Sequence, residues 1–175
     1  MKVRLANSND ANQIERLYKI LVPNDNSISV LPERIIEISK SINNYLYVVE
    51  KDNNIIIGTA FLTFCLDPMY KFAPYAVIEN IIIDDNHRGN GIGRMLMLEI
   101  ENNCRNNKCT KIMILSSSKR KAAHDFFTAV GFDKNAKIGF VKYLNKISAQ
   151  QVDAPEPATM ISPASQHHIG RPGDL

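Results

Sequence analysis

The sequence predicts an α/β fold, of the type in which strands and helices are partly segregated, within a single domain. Three observations carry this reading. Strand-like and helix-like apolar spacings alternate from Lys2 to Leu144 in the order β-α-α-β-β-β-α-β-α-β, with no internal repeat. Two β-rich runs, Tyr45 to Glu50 and Ile55 to Leu66, are joined by Lys51-Asp52-Asn53-Asn54, a polar linker suited to a hairpin turn, which predicts antiparallel neighbours. A third run, Tyr75 to Asp84, passes through a glycine-rich loop into a helical pattern.

The elements follow in chain order. Lys2 to Leu5 reads as a short strand, and Asp10 can cap a helix whose apolar positions Ile14, Leu17, Tyr18 and Leu21 recur at helical spacing up to Pro23. A second helix begins near Pro32 and carries Ile35, Ile36 and Ile38. After the three strands, a helix starts at about Ile92, with Met95, Leu96, Glu99, Ile100 and Cys104 at three- or four-residue steps, and frays near Asn106. Lys111 to Leu115 reads as a buried strand, Ala122 to Val130 as a short amphipathic helix stopped by Gly131, and Lys137 to Leu144 as a closing strand. From Ser148 to Leu175, Ala, Pro, Gln and Ser dominate and the periodicity stops. A domain over residues 1–147 followed by a flexible tail over 148–175, native or introduced by cloning, is therefore expected.

Composition narrows the function. The chain has 175 residues, 45% hydrophobic and 22% charged, as expected for one soluble domain. No apolar run approaches a membrane span, and Met1 to Arg4 leads into polar Asn7 to Asp10 instead of a signal core. Three cysteines, Cys65, Cys104 and Cys109, form neither a CxxC pair nor a zinc spacing, so reduced thiols, a cytoplasmic location and no metal are expected. Residues 1–147 carry 20 basic and 15 acidic side chains, a net +5 once the last 28 residues are set aside. The cations are scattered, and Lys119-Arg120-Lys121 is the one dense run. An anionic small ligand fits this balance as well as nucleic acid does, and neither a nucleic-acid nor a membrane partner is expected.

The segment with most chemistry is Arg88-Gly89-Asn90-Gly91-Ile92-Gly93, between a strand and a helix. Alternating glycines leave no side chain between backbone N–H groups and a ligand, and a helix start adds unpaired donors and partial positive charge. Such a site suits a pyrophosphate, with Arg88 and Arg94 flanking it. The dinucleotide pattern GxGxxG fails because position 94 is Arg, and no Gly-Lys-Ser/Thr follows, which argues against NAD and ATP. The same letters also suit a plain glycine-rich turn ahead of a helix.

Arg88-x-x-Gly91-x-Gly93 after an apolar strand resembles the acetyl-CoA motif of the GCN5-related N-acetyltransferase (GNAT) superfamily, Arg/Gln-x-x-Gly-x-Gly/Ala. Downstream, Ala123 to Phe132, with Phe126-Phe127 and Gly131-Phe132, is similar to that family's later helix ending Phe-Tyr-x-x-x-Gly-Phe. The motifs occur in the family's order, and the resemblance runs from the first strand to Leu144. It implies a mixed, mostly antiparallel sheet splayed between the strand ending at Asp84 and the strand Lys111 to Leu115, with acetyl-CoA as cosubstrate in the cleft. It further implies that the backbone of Ile81, Ile82 and Ile83 pairs with the pantetheine arm. The amides of Gly89, Asn90, Gly91, Ile92, Gly93 and Arg94 would hold the pyrophosphate, and Phe127 would pack near the pantetheine end. Members are often dimers, so a homodimer is expected.

Acetyl transfer to an amine needs a neutral nucleophile, a polarised thioester carbonyl and a proton for the thiolate. Glu79 is the one charged residue between Ala76 and Ile83, and strict alternation places it on the face of Val77, Ile81 and Ile83, where apolar neighbours would raise its pKa. That suits a base acting directly or through water; a carboxylate serving structure alone fits the same position. At the place of the family's Tyr stands Phe127, so the hydroxyl that would protonate the thiolate is missing. His124 and the three cysteines are read as ordinary surface or core residues.

Tyr18 to Val30 and Pro68 to Tyr75 are expected to bind the acceptor, with Tyr70, Phe72 and Tyr75 offering aromatic area and no acidic cluster declaring a polycation. The readings that follow are transfer from acetyl-CoA to a primary amine of a small molecule in a ternary complex, acetylation of a protein terminus or lysine, or an acyl-CoA-binding regulatory protein with weak chemistry.

Overall fold

The computed structural model describes residues 1–144; the expected tail over 148–175 lies outside the described residues. Met1–Lys142 form one compact unit. It is built on a five-stranded sheet in the order β1-β2-β3-β4-β5, with β1 at Lys2–Leu5, β2 at Asn44–Lys51, β3 at Ile55–Cys65, β4 at Tyr75–Ile83 and β5 at Ile112–Ile114. The first four strands pair antiparallel in sequence order, and β5 joins β4 in parallel. The expected hairpin is present, its linker forming a 3-10 turn at Asp52–Asn54.

Four helices cover the two faces. On one face lie α1 (Ala11–Leu21) and α2 (Pro32–Ser39), whose Ile14, Leu17 and Ile35 bury against Leu46, Val48, Ile56 and Ile82. On the other lies α3 (Ile92–Asn106), whose Ile92, Leu96, Met97, Ile100 and Cys104 bury against Tyr47, Val49, Leu62, Phe64 and Ile78. The three- and four-residue spacing of these α3 positions places them on one stripe, and each such aliphatic side chain removed from water contributes about 1.5–3 kcal/mol. Phe126 and Val130, from α4 (Lys121–Ala129) and the residue that follows it, pack against the same cluster. No helix among the described residues is long and apolar enough to cross a membrane.

Several expectations are corrected. Asp10 directly precedes α1 but makes no side-chain cap there; it closes a capping box with Asn7 on the 3-10 turn before α1 and takes a bidentate pair from Arg4 at 2.7 and 2.9 Å. The strand read as Lys111 to Leu115 is three residues long and half-buried, and Leu115 is exposed. Lys137 to Leu144 form no strand. Their alternation is strand-like, but a strand exists only through a partner, and the short β5 offers few ladder positions.

One irregularity positions the site. Thr59 is paired with Ile82 and Phe61 with Glu79, so Asn80 and Ile81 together oppose the single residue Ala60. The extra residue is a β-bulge, with Asn80 in the left-handed region at φ 52°. Asn tolerates that conformation better than most residues. The bulge turns β4 over: Ile78, Ile81 and Ile83 pack on the α3 side, whereas Ile82 packs on the α1 side.

Candidate active site

Beyond the bulge the sheet opens. The parallel ladder to β5 runs from Ala76 to Ile78 only, so from Glu79 to Ile83 the edge of β4 facing β5 has no strand partner. That gap continues into a cavity of about 630 Å³. One wall is Ile81 to Ile83, the floor is the loop and helix start from His87 to Arg94, and the far wall is Arg120, Ala122, Ala123, Phe126 and Phe127; Ile20 and Leu21 of α1 complete it.

The floor is shaped by glycine. Gly89 and Gly91 have φ of 79° and 73°, and a β-carbon at either would meet nothing within 4 Å, so their open side is free for a ligand. Gly93 acts differently from the expectation that all three glycines clear the ligand's path. A β-carbon there would come 3.0 Å from Phe126 Cζ, so this glycine lets α3 and α4 pack closely. The first intrahelical bond of α3 runs from the Met95 N–H to the Gly91 carbonyl. Among the described residues, the N–H groups of Gly89 to Arg94 find no protein acceptor, leaving a run of donors at the positive end of a helix.

The flanking cations are held by the protein. Arg88 Nε donates to the Ile83 carbonyl at 3.2 Å while its Nη2 pairs with Asp85 at 2.5 Å. Arg94 Nη2 donates to the Ala129 carbonyl at 3.2 Å. Arg120 donates from Nη2 to the carbonyl of Leu21, joining the two walls. His87 Nδ1 is buried without a hydrogen-bond partner and stands 3.6 Å from Asp84 Oδ1.

Of the expected cofactor residues, Ile81, Ile82, Ile83, Arg88, Gly89, Gly91, Ile92, Gly93, Arg94 and Phe127 all line this cavity, and Asn90 does not. The Asn90 side chain turns back toward the carbonyls of His87 and Arg88. Phe127 is buried in an aromatic group, 5.5 Å from Phe126 and 6.1 Å from Phe132 between ring centroids. Ile20 and Leu21 fall within Tyr18 to Val30, the segment expected to bind the acceptor, and Arg120 within the dense basic run; sequence reading singled out neither His87 nor the two alanines.

Glu79 is not in the cavity lining. Because of the bulge it shares a face with Phe61 and Ile82, and the expected common face with Ile81 and Ile83 is not formed. Its side chain reaches solvent, yet desolvation by the surrounding protein raises its pKa above the ordinary value. Beside it, the buried Tyr18 hydroxyl contacts Thr59 and Asn80; burial pushes its pKa up to about 12 against the opposing effect of those hydrogen bonds. Tyr70 and Phe72 are exposed, and neither they nor Tyr75 lines the cavity. Tyr75 lies at the start of β4, eight residues or about 26 Å of strand from Ile83. Among the described residues no cluster of three or more His, Cys, Asp or Glu could hold a metal ion.

Comparison with known proteins agrees with this arrangement. The model of the acetyltransferase (GNAT) family matches residues 13–132. A solved protein of Agrobacterium tumefaciens strain C58, provisionally assigned as an acetyltransferase, is 25% identical with a TM-score of 0.74, over 82% of this chain and 99% of its own. An aminoglycoside acetyltransferase from an uncultured soil metagenomic sample, solved with sisomicin, is 20% identical with a TM-score of 0.71, over 83% and 96%. The aminoglycoside N-acetyltransferase AAC(6')-Iy, solved with CoA, is 18% identical with a TM-score of 0.67, over 82% and 95%. With the glycine loop, the splayed sheet and the later aromatic helix inside the matched span, the chain belongs to the GNAT acetyltransferase family.

Proposed function

We propose that this protein is an N-acetyltransferase that uses acetyl-CoA and acetylates the primary amine of a small molecule within a ternary complex. The observation that carries the proposal is the meeting, in one cavity, of an unpaired strand edge and a run of acceptor-free amides at a helix start. A strand edge can pair with an extended amide-bearing arm, and the amides can hold a pyrophosphate. Ile81 to Ile83 would supply the first function, and Gly89 to Arg94 the second. Arg88 and Arg94 would add positive charge, and Phe127 would pack beside the arm. That one solved relative carries CoA supports the same cosubstrate here.

Acetyl-CoA would supply an activated thioester. The chain's own residues do the rest: the cleft aligns the amine, and Glu79 accepts its proton through water, since Glu79 stands outside the cavity lining. Phe127 has no hydroxyl to offer the departing thiolate, whose conjugate thiol is acidic enough for release without a dedicated donor. No Asp or Glu lines the cavity among the described residues, which favours an acceptor with little positive charge over a polycation such as sisomicin. The domain would span residues 1–147 and work in the cytoplasm, as a homodimer.

The buried aromatic position of Phe127 also favours a second reading, an acyl-CoA-binding regulatory protein with weak chemistry. Calorimetric titration with acetyl-CoA, comparing the unmutated protein with Gly91→Glu, tests the cofactor. Micromolar binding abolished by the added carboxylate is the expected result, and no binding by the unmutated protein would refute both readings. A thiol-release screen over free amines and peptides then separates them, because binding without release supports the second.

A further inference from the structure

We propose that Asp84, held by Arg16, is the positioning residue that sets the amide run Gly89 to Arg94 in its donor arrangement. The proposal rests on the acetyl-CoA reading only for its binding test. Asp84 follows β4 directly and is 8% exposed at its side chain. Its N–H is tied to the sheet, donating to the Ile57 carbonyl at 2.8 Å, and its carbonyl accepts from the His87 N–H of the following turn at 2.9 Å.

The side chain of Asp84 divides its two oxygens between two tasks. Oδ1 accepts from the Asn86 N–H at 3.1 Å, capping the 3-10 turn Asp85–His87. Oδ2 accepts from Arg16 Nη1 at 2.5 Å, and Arg16 Nη2 reaches the Ile56 carbonyl at 3.0 Å. One guanidinium of α1 thus joins the end of β4 to the beginning of β3. The turn so fixed delivers Arg88, whose Nε returns to the Ile83 carbonyl, and the donor run begins at the next residue. Between the two glycines, the Asn90 side chain turns back to the carbonyls of His87 and Arg88, so the orientation of Gly89 and Gly91 is tied to the same turn. A pre-set donor array spares a ligand the cost of ordering it.

Asp84→Asn keeps an acceptor for the Asn86 N–H and removes the charge that Arg16 needs; Arg16→Met removes the other partner. In hydrogen exchange of the free proteins, either substitution should speed exchange at Asn86, His87 and Arg88, whose N–H groups are bonded within the turn, while leaving the body of α3 and strands β2 and β3 as in the unmutated protein. In calorimetry, either should weaken acetyl-CoA binding roughly tenfold, and the double variant should lose little more than one single, as coupled partners do. Unchanged exchange at residues 86–88 would overturn the proposal, as would faster exchange spread over the whole sheet. If the unmutated protein fails to bind acetyl-CoA, the cofactor reading falls, while exchange in the free proteins still decides the role of Asp84.

Discussion

Phe61 lies directly across the sheet from Glu79, while Thr59, two residues away, lies across from Ile82. That mismatch of one residue turns Ile81 and Ile83 toward α3 and leaves Glu79 on the opposite face. It stands where the ladder to β5 stops at Ile78, so the bulge and the opening of the sheet occupy the same point of β4. Bulges redirect side chains and end pairing, and here both effects converge beside the cavity.

The bulge depends on the backbone of Asn80, at φ 52°. Glycine meets no penalty in that conformation, whereas a β-branched residue does. Asn80→Val should therefore be less stable than Asn80→Gly by about 2 kcal/mol, measured by urea unfolding of both variants. Since both variants lose the contact with the Tyr18 hydroxyl, their difference isolates the backbone conformation. Equal stabilities would mean that the bulge relaxes when Asn80 is replaced.

Much of this architecture was legible in the sequence because local signals and tertiary structure agree. The stripe Leu96, Ile100, Cys104 predicts α3, and the glycine loop at its start predicts a run of free amides. The bulge was not legible: Ile78 to Ile83 reads as an ordinary alternating strand, and only pairing with β3 reveals the extra residue. The missing closing strand has a related cause, since alternation in Lys137 to Leu144 specifies a face but supplies no partner. The contact of Arg120 was not legible either, because its acceptor, the carbonyl of Leu21, is 99 residues distant and is a backbone group that no sequence pattern marks.

Gly93 and Gly91 should respond differently to alanine. At Gly91 the new methyl faces open space, so Gly91→Ala should cost about 1 kcal/mol of stability from its positive φ while leaving Phe126 in place. At Gly93 the backbone is helical and the methyl would come 3.0 Å from the Phe126 ring. Gly93→Ala should therefore shift Phe126 at the cavity wall and weaken acetyl-CoA binding more than its effect on stability would suggest. Calorimetry and thermal unfolding of both variants check this, and a Gly93→Ala protein with unmutated affinity would show that the aromatic wall is free to move.

If Glu79 is the base, its protonated form is inactive, so turnover must rise with pH as the carboxylate forms. Because desolvation raises its pKa, the midpoint of that rise should lie above the ordinary 4.5. Glu79→Gln should lower kcat roughly 100-fold and abolish this limb of the profile. A variant with the same limb would assign the titration to another group.

The opposite sign applies at Asp10, far from the cavity on the β1 side of the sheet. Desolvation would raise its pKa, but the two hydrogen bonds from Arg4, a third from the Asn7 N–H at 2.8 Å and the Arg4 charge outweigh it and hold the carboxyl below the ordinary 3.8. Glu50 shares Arg4 from the other side and is also lowered, first by that hydrogen bond and then by Lys2. A carboxyl with a depressed folded pKa contributes its full stability above the unfolded value and loses it as pH falls through the folded one. Asp10→Asn should therefore destabilise the protein by about 2 kcal/mol at pH 7, the scale for losing hydrogen bonds to a charged partner. The deficit should hold steady down to about pH 5 and narrow below 3.8, as the unmutated protein loses its own ion pair. Urea unfolding of both proteins across this range measures the gap, and a gap that widens with acid would show that Asp10 is stabilised in its neutral form.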